Sequence, residues 1–332
     1  MSAFCFIPGL VCDRTAIAEE TTLGKRLQQD KTLDSDIQLY IPEFSKPTGK
    51  YVSRLLLRLF NASLRKGSLV FAGNPCTPGM SVLEQHMETE ARSVLAENNI
   101  HTVVCNFSDV PQTTDGIVFQ AEPFMCLKLR PEWKTLEDYS RAMQSKYRIR
   151  VNKALQCSQH LESAWFDGSE LTDEQIACMA NLLSATLAKK TLALPPNLHG
   201  LIKGFCKTYG RNYETVFCRD PQGNVMGFLS AVTTGNQVFA MHIGYLAEQA
   251  REWHLYQRLM LDLISRNVGK NIHSIQLGRT ATEIKSTLGA EPMENSIVVY
   301  TRSFLLKSIL KAYKQYFFKP KTYVLRRPFR DR

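Results

Sequence analysis

Apolar positions in the second half of the chain follow two rhythms, one recurring at every second residue and one at every third or fourth. Leu161 to Phe166 reads as a short strand. Asp173 then caps a helix running to about Lys190, with Ile176, Met179, Leu182 and Leu183 on one face. Pro195 and Pro196 open a second helix that ends near Tyr209 and Gly210. Tyr213 to Cys218, Val225 to Thr233 and Gln237 to Ile243 are predicted strands. The turns Asp220-Pro221-Gln222-Gly223-Asn224 and Thr234-Gly235-Asn236 are short enough to fold them into an antiparallel meander. After Gly244 a polar loop leads into a helix from about Glu252 to Arg266, striped by Leu255, Leu259, Met260, Leu263 and Ile264. Gly269 ends it. Ser274 to Leu277 is a brief strand, Ala281 to Leu288 a short helix closed by Gly289, and Ser296 to Thr301 a last strand.

The first half is sparser. Leu69 to Ala72 and His101 to Phe107 are rich in strand-forming residues, a helix bearing Leu83, Met87, Ala91 and Val94 lies between them, and Phe124 to Leu129 is a further strand. This order fits a reduced copy of the second module.

Composition supports a globular chain of about two domains: 332 residues, of which 44% are hydrophobic. The nine cysteines are scattered singly, without a CxxC pair or a His/Cys cluster at ligand spacing, so they read as reduced, mostly buried residues and no metal is expected. The apolar amino terminus has no basic residue ahead of it and no small-residue cleavage site. No apolar run approaches the roughly 20 residues of a spanning helix. A cytoplasmic protein is expected, any contact with the inner face of a membrane being peripheral. The formal charge of +10 favours anionic partners without choosing among a nucleotide, a lipid surface and a nucleic acid.

Three segments give the pattern a direction: GYLAEQAREWHLYQRLMLDLI (Gly244 to Ile264), LGRTATEIKSTLGAEP (Leu277 to Pro292) and LEDYSRAMQSKYRIRVNKAL (Leu136 to Leu155). With the strand and helix order, they resemble the GNAT-like acyltransferases related to the Fem aminoacyltransferases and the cellulose-synthesis-associated acetyltransferases, over about 133–301. The resemblance implies an α/β mixed-sheet GNAT-like fold in two tandem halves, the first reduced. The expected division is 1–132 for the degenerate first domain, 133–301 for the acyltransferase domain and 302–332 for a basic amphipathic helix and tail. It also implies N-acyl transfer by direct attack, from an acyl-CoA co-substrate to an amine of a small or cell-envelope acceptor. The alternatives are Fem-like use of aminoacyl-tRNA in peptidoglycan synthesis and a non-catalytic module at a membrane surface. No coiled-coil arm of the tRNA-using type is apparent, which favours a CoA-type donor.

Site candidates follow. A helix start favours anions through its unpaired N–H groups, so Arg251, Trp253 and His254 are candidates for holding the donor, although 247–253 contains no glycine. The less specific reading makes Arg251 and His254 a solvated first turn. Arg279, Thr280 and Lys285 follow a strand end where sheets of this type place ligands, and two cations there suit a phosphate or carboxylate. An Arg279–Glu283 ion pair is the structural alternative. His242, in the last meander strand, is a candidate base because of its ordinary pKa, and Tyr245 is a second candidate acid or base. A lone strand histidine is more often a packed core or surface residue. Arg148 represents the basic helix of Arg141, Lys146, Arg150 and Lys153, a solvated face by its composition or, as the resemblance to the Fem proteins implies, the border of an acceptor groove. The tail sets Lys307, Lys311 and Lys314 beside Leu305, Leu306, Leu310 and Tyr313, suited to an anionic membrane or, the favoured expectation, to docking on the first domain.

Overall fold

The computed structural model describes residues 69–72, 92, 95–96, 101–107, 115–120, 123–188, 198–278, 281–316 and 322–329. The expected helix through Leu83, Met87, Ala91 and Val94, the helix-opening Pro195 and Pro196, and Arg279 with Thr280 lie outside these residues.

In chain order the elements are β1 (Leu69–Ala72), β2 (Thr102–Phe107), β3 (Ile117–Gln120), β4 (Phe124–Lys128), α1 (Leu136–Arg141), α2 (Ser145–Cys157), β5 (Glu162–Asp167), α3 (Asp173–Ala188) and α4 (Leu198–Tyr209). They continue with β6 (Tyr213–Arg219), β7 (Val225–Thr234), β8 (Gln237–Tyr245), α5 (Leu255–Asn267), β9 (Ser274–Gln276), α6 (Thr282–Thr287), β10 (Glu291–Met293), β11 (Ser296–Thr301) and α7 (Phe304–Tyr316).

The strands form two sheets, one of order β1-β2-β11-β3 and one of order β10-β4-β9-β8-β7-β6-β5. The second runs antiparallel from β5 through β8, then β8 and β9 are parallel with α5 as the crossover. A meander, a helical crossover and a parallel partner make this the mixed α/β, GNAT-like arrangement expected from the sequence.

Two compact units result, and they do not follow the chain linearly. The first takes its described residues from 69–123 and 293–322, the second from 124–188, 198–292 and 323–329. In place of boundaries near 132 and 301, β4 enters the second sheet, β11 enters the first, and the end of the tail returns to the second unit. Such routing is invisible to local pattern because it is fixed by pairings far apart in sequence.

In the first unit β11 runs antiparallel to both β2 and β3, and α7 docks through the buried Leu310 and Tyr313, with the Tyr313 ring 6.4 Å from that of Phe119. In the second, Val216, Leu229, Ala231 and Val238 of the sheet pack with Leu255, Leu259 and Leu263 of α5 and with Tyr147, Val151 and Ala154 of α2.

The basic helix expected over Leu136 to Leu155 is two helices. Thr135 caps α1 through a reciprocal bond with Asp138, and the chain is then held open at 142–144: Met143 bridges Phe329, and the Gln144 N–H donates to Pro328 O at 2.8 Å. Phe329 itself packs on Trp133 at 5.0 Å and Tyr139 at 5.7 Å. α5 starts three residues later than expected because 249–254 form turns, with Trp253 N–H bonded to Gln249 O and Leu255 N–H to Ala250 O.

Candidate active site

The parallel pairing of β8 with β9 covers only three positions, Gln237 with Ser274, Val238 with Ile275 and Phe239 with Gln276, while β8 runs on to Tyr245. Beyond Phe239 no described strand pairs with β8 on the β9 side, which leaves an opening there along its last six residues. On its other side β8 stays paired with β7 to the end, so the opening lies on the β9 side alone. Its far end is fixed by α3: the Tyr245 N–H donates to Thr186 Oγ1 at 3.0 Å, and that hydroxyl donates to Leu182 O at 2.8 Å. Gly244 makes this approach possible. A Cβ there would lie 2.6 Å from Phe228 Cε1 and 2.7 Å from backbone atoms of Leu182 and Leu183.

Both helices connected to the opening are entered through a left-handed residue that is not glycine: His254 (φ 50°) before α5 and Ala281 (φ 57°) before α6. Such backbone costs about 1 kcal/mol or more and clusters at functional sites. Like any helix start, that of α5 leaves first-turn N–H groups without intrahelical acceptors.

Tyr245 is half-buried, and its ring meets that of Tyr256, at the start of α5, edge-on at 6.4 Å. Burial raises the Tyr245 phenol above its ordinary pKa, so it stays protonated at neutral pH. Tyr256 OH and Gln249 Oε1 are closed off from solvent without a hydrogen-bond partner among the described residues. A ligand or water at this corner would satisfy them.

His242 lies elsewhere. A bulge in β8 pairs His242 with Ser230 and Ala240 with Ala231, leaving Met241 as the extra residue. The imidazole packs edge-on against Phe205 of α4 at 4.9 Å, with Nδ1 3.3 Å from Ser230 Oγ. Tyr245 and Ile243 instead join the cluster that contains α5. The two residues proposed for proton transfer are thus on opposite faces of one strand. Burial lowers the His242 pKa to about 4, leaving the ring neutral at pH 7 and a weak base.

This burial has a consequence for stability. The folded pKa lies below the unfolded value of about 6.5, so the unfolded chain binds more protons between the two. The contribution of neutral His242 is complete above about pH 6.5 and is lost as the pH falls towards 4. Urea midpoints measured from pH 7 to 4 should fall more steeply for the wild type than for His242→Gln.

Of the donor candidates, Arg251 is exposed, His254 is half-buried at the cap, and Trp253 is half-buried, edge-on to His160 at 4.8 Å. The indole is thus engaged in packing. Lys285 is 2% exposed, and its Nζ donates to Gly278 O at 3.1 Å, two residues beyond β9 on that side of the opening. Arg148 is half-buried on α2, well removed in sequence from the opening, while Lys146, Arg150 and Lys153 are exposed.

Sequence reasoning missed what positions α5. Arg258 is part-buried and bonded through Nε to both oxygens of Asp262 at 2.9 and 3.1 Å. Its other nitrogens reach Ser158 O at 2.7 Å and Ser163 Oγ at 2.9 Å, and the Ser163 hydroxyl donates to Asp262 at 2.8 Å. This network ties α5 to the end of α2 and to β5.

Among the described residues no group of three or more His, Cys, Asp or Glu is placed to hold a metal ion. Cys126, Cys157, Cys178, Cys206 and Cys218 are free, and burial pushes the Cys206 and Cys218 thiols up to about 11, which makes them poor nucleophiles.

No protein-family model matches the chain, and no curated protein matches it. Solved structures do. A protein of unknown function from Bacteroides thetaiotaomicron is 9% identical, with 67% of this chain and 76% of that one covered at a TM-score of 0.46. FemX is 9% identical over 68% of this chain and 78% of its own, also at 0.46. A tandem GNAT protein from the clavulanic acid biosynthesis pathway is 12% identical over 66% and 70%, at 0.41. These distant likenesses concern the path of the chain and say nothing of the site.

Proposed function

We propose that the second unit transfers an acyl group from a CoA-type thioester to an amine on a polar, cell-envelope acceptor. The observation that carries this reading is the end of the β8–β9 pairing at Phe239, which leaves the rest of β8, up to Tyr245 beside the start of α5, without a described partner strand on that side. A pantetheine arm is an extended chain with two amides, so the edge of β8 between Phe239 and Tyr245, which has no described partner strand on the β9 side, can bond it as it would a short strand. Its pyrophosphate would meet the first turn of α5 with Arg251 at the rim. The lack of glycine in 247–253 leaves that contact to side chains and the helix end.

The reaction needs few groups. The amine nitrogen attacks the thioester carbonyl, the C–N bond forms, the C–S bond breaks, and the thiolate takes up a proton. Tyr245, protonated and beside the α5 start, is suited to supply that proton. The proton lost by the amine goes to water, since His242 is too weak a base and faces α4. Lys285 would hold an anionic group of the acceptor or fix the β9 side of the opening.

Calorimetry on the full chain is expected to show one acetyl-CoA site, with Tyr245→Phe retaining binding and losing about tenfold or more in acyl-transfer rate. Absence of binding would remove the reading. Aminoacyl-tRNA as donor is a second reading, favoured by the exposed Lys146, Arg150 and Lys153 along α2. Charged tRNA retained on a filter, with strong salt dependence, would select it.

A further inference from the structure

α7 presents an outer face that nothing in its docking explains. Leu310 and Tyr313 are turned into the first unit, yet Phe304 is 84% exposed, Leu305 71% and Tyr316 68%. At helical spacing Leu305, Ile309, Ala312 and Tyr316 fall on one line, and Lys307, Lys311 and Lys314 on another. Phe304 lies between the two at the start of the helix. The apolar line and the line of cations therefore border the outer side of α7 on opposite flanks, with Phe304 between them and the inner side used for docking. No acidic residue occurs anywhere in the sequence from Asn295 to Arg330.

We propose that this face of α7 binds an anionic phospholipid surface, with Phe304, Leu305 and Tyr316 entering the interface and Lys307, Lys311 and Lys314 meeting the headgroups. The charge selects this occupant: a second copy of the same face would bring like charges together. A nucleic acid would match the lysines but leave the aliphatic line without a partner. An anionic bilayer takes both, because apolar side chains partition into its boundary while each cation near its surface adds attraction. No helix among the described residues is long and apolar enough to cross a membrane, so the contact is with a surface. The proposal does not depend on the transferase reading, since vesicle binding and acetyl-CoA binding are read separately.

The test is co-sedimentation of the full chain with phosphatidylcholine vesicles, with and without phosphatidylglycerol. Binding is expected only to the anionic vesicles, weakening as salt rises. Lys311→Glu with Lys314→Glu should lower it by about fivefold or more per lysine, and Phe304→Ser with Leu305→Ser by about tenfold or more. Both double variants should keep the wild-type melting temperature, because the residues are exposed. Equal binding to neutral vesicles, retention by either double variant, or duplex RNA displacing the vesicles would each overturn the proposal. So would a serine variant that melts early or loses a dimer, since its face would then be packed against protein.

Discussion

Replacing Arg258 by alanine is expected to cost about 2–4 kcal/mol of stability. Arg258 and Asp262 are only 14% exposed, and the guanidinium also bonds Ser158 O and Leu161 O. Alanine would leave the part-buried Asp262 carboxylate with the Ser163 hydroxyl as its one described donor and remove a donor from Ser158 O, which keeps the Leu161 N–H, and from Leu161 O. That penalty, more than the attraction within the pair, sets the size of the loss. Replacing both charges together, Arg258→Met with Asp262→Leu, should recover much of it because no unpaired charge remains. The measurement is thermal denaturation of the wild type and the two variants, with a fall of about 10 °C for alanine at roughly 2–4 °C per kcal/mol in a chain of this size. Since the network holds α5 to Ser158 and Ser163, Arg258→Ala should also weaken acetyl-CoA binding at temperatures where the variant is still folded. An unchanged melting temperature would show that water replaces the guanidinium at little cost.

Gly244→Ala is expected to cost about 1–3 kcal/mol and to damage the site directly. The added Cβ would meet the backbone of Leu182 and Leu183 at 2.7 Å, and a helix backbone cannot step aside as a flexible side chain can. Either α3 moves off the sheet, breaking the Thr186 bond to the Tyr245 N–H, or β8 shifts into the opening beside β9. Both outcomes alter the edge proposed to hold the acyl donor. Urea denaturation should show the loss of stability, and calorimetry a loss of acetyl-CoA affinity larger than that of Thr186→Ser, which keeps the hydroxyl.

Why the second unit was so legible lies in its turns. Asp220 Oδ1 accepts the N–H of Gln222 at 3.0 Å and of Asn224 at 2.8 Å, so the chemistry that marked a hairpin also builds it. β6, β7 and β8 accordingly fall within two residues of expectation, and β11 falls where expected. β3 and the exposed β10 were not foreseen, being four and three residues long and dependent on distant partners. The strand routing between the two sheets escaped for the same reason.

Of the candidate residues, sequence placed Tyr245 at the end of β8 and Lys285 on α6, but not their orientation. Strict alternation along β8 hides a bulge, and the bulge decides that Ile243 and Tyr245 share the α5 cluster while His242 packs on Phe205. Arg258 and Asp262, four apart on an amphipathic helix, look like an ordinary solvated pair. Only the packing of Ser158 and Ser163 against them shows that they are interior.

Hydrogen exchange of the full chain, with and without acetyl-CoA, probes the β9-facing edge of β8 most directly. Slower exchange is expected in peptides covering 240–245 and the first turn of α5, with α2 and α7 unchanged. Unaltered exchange along β8 at saturating ligand, or slowing confined to α2, would contradict the account.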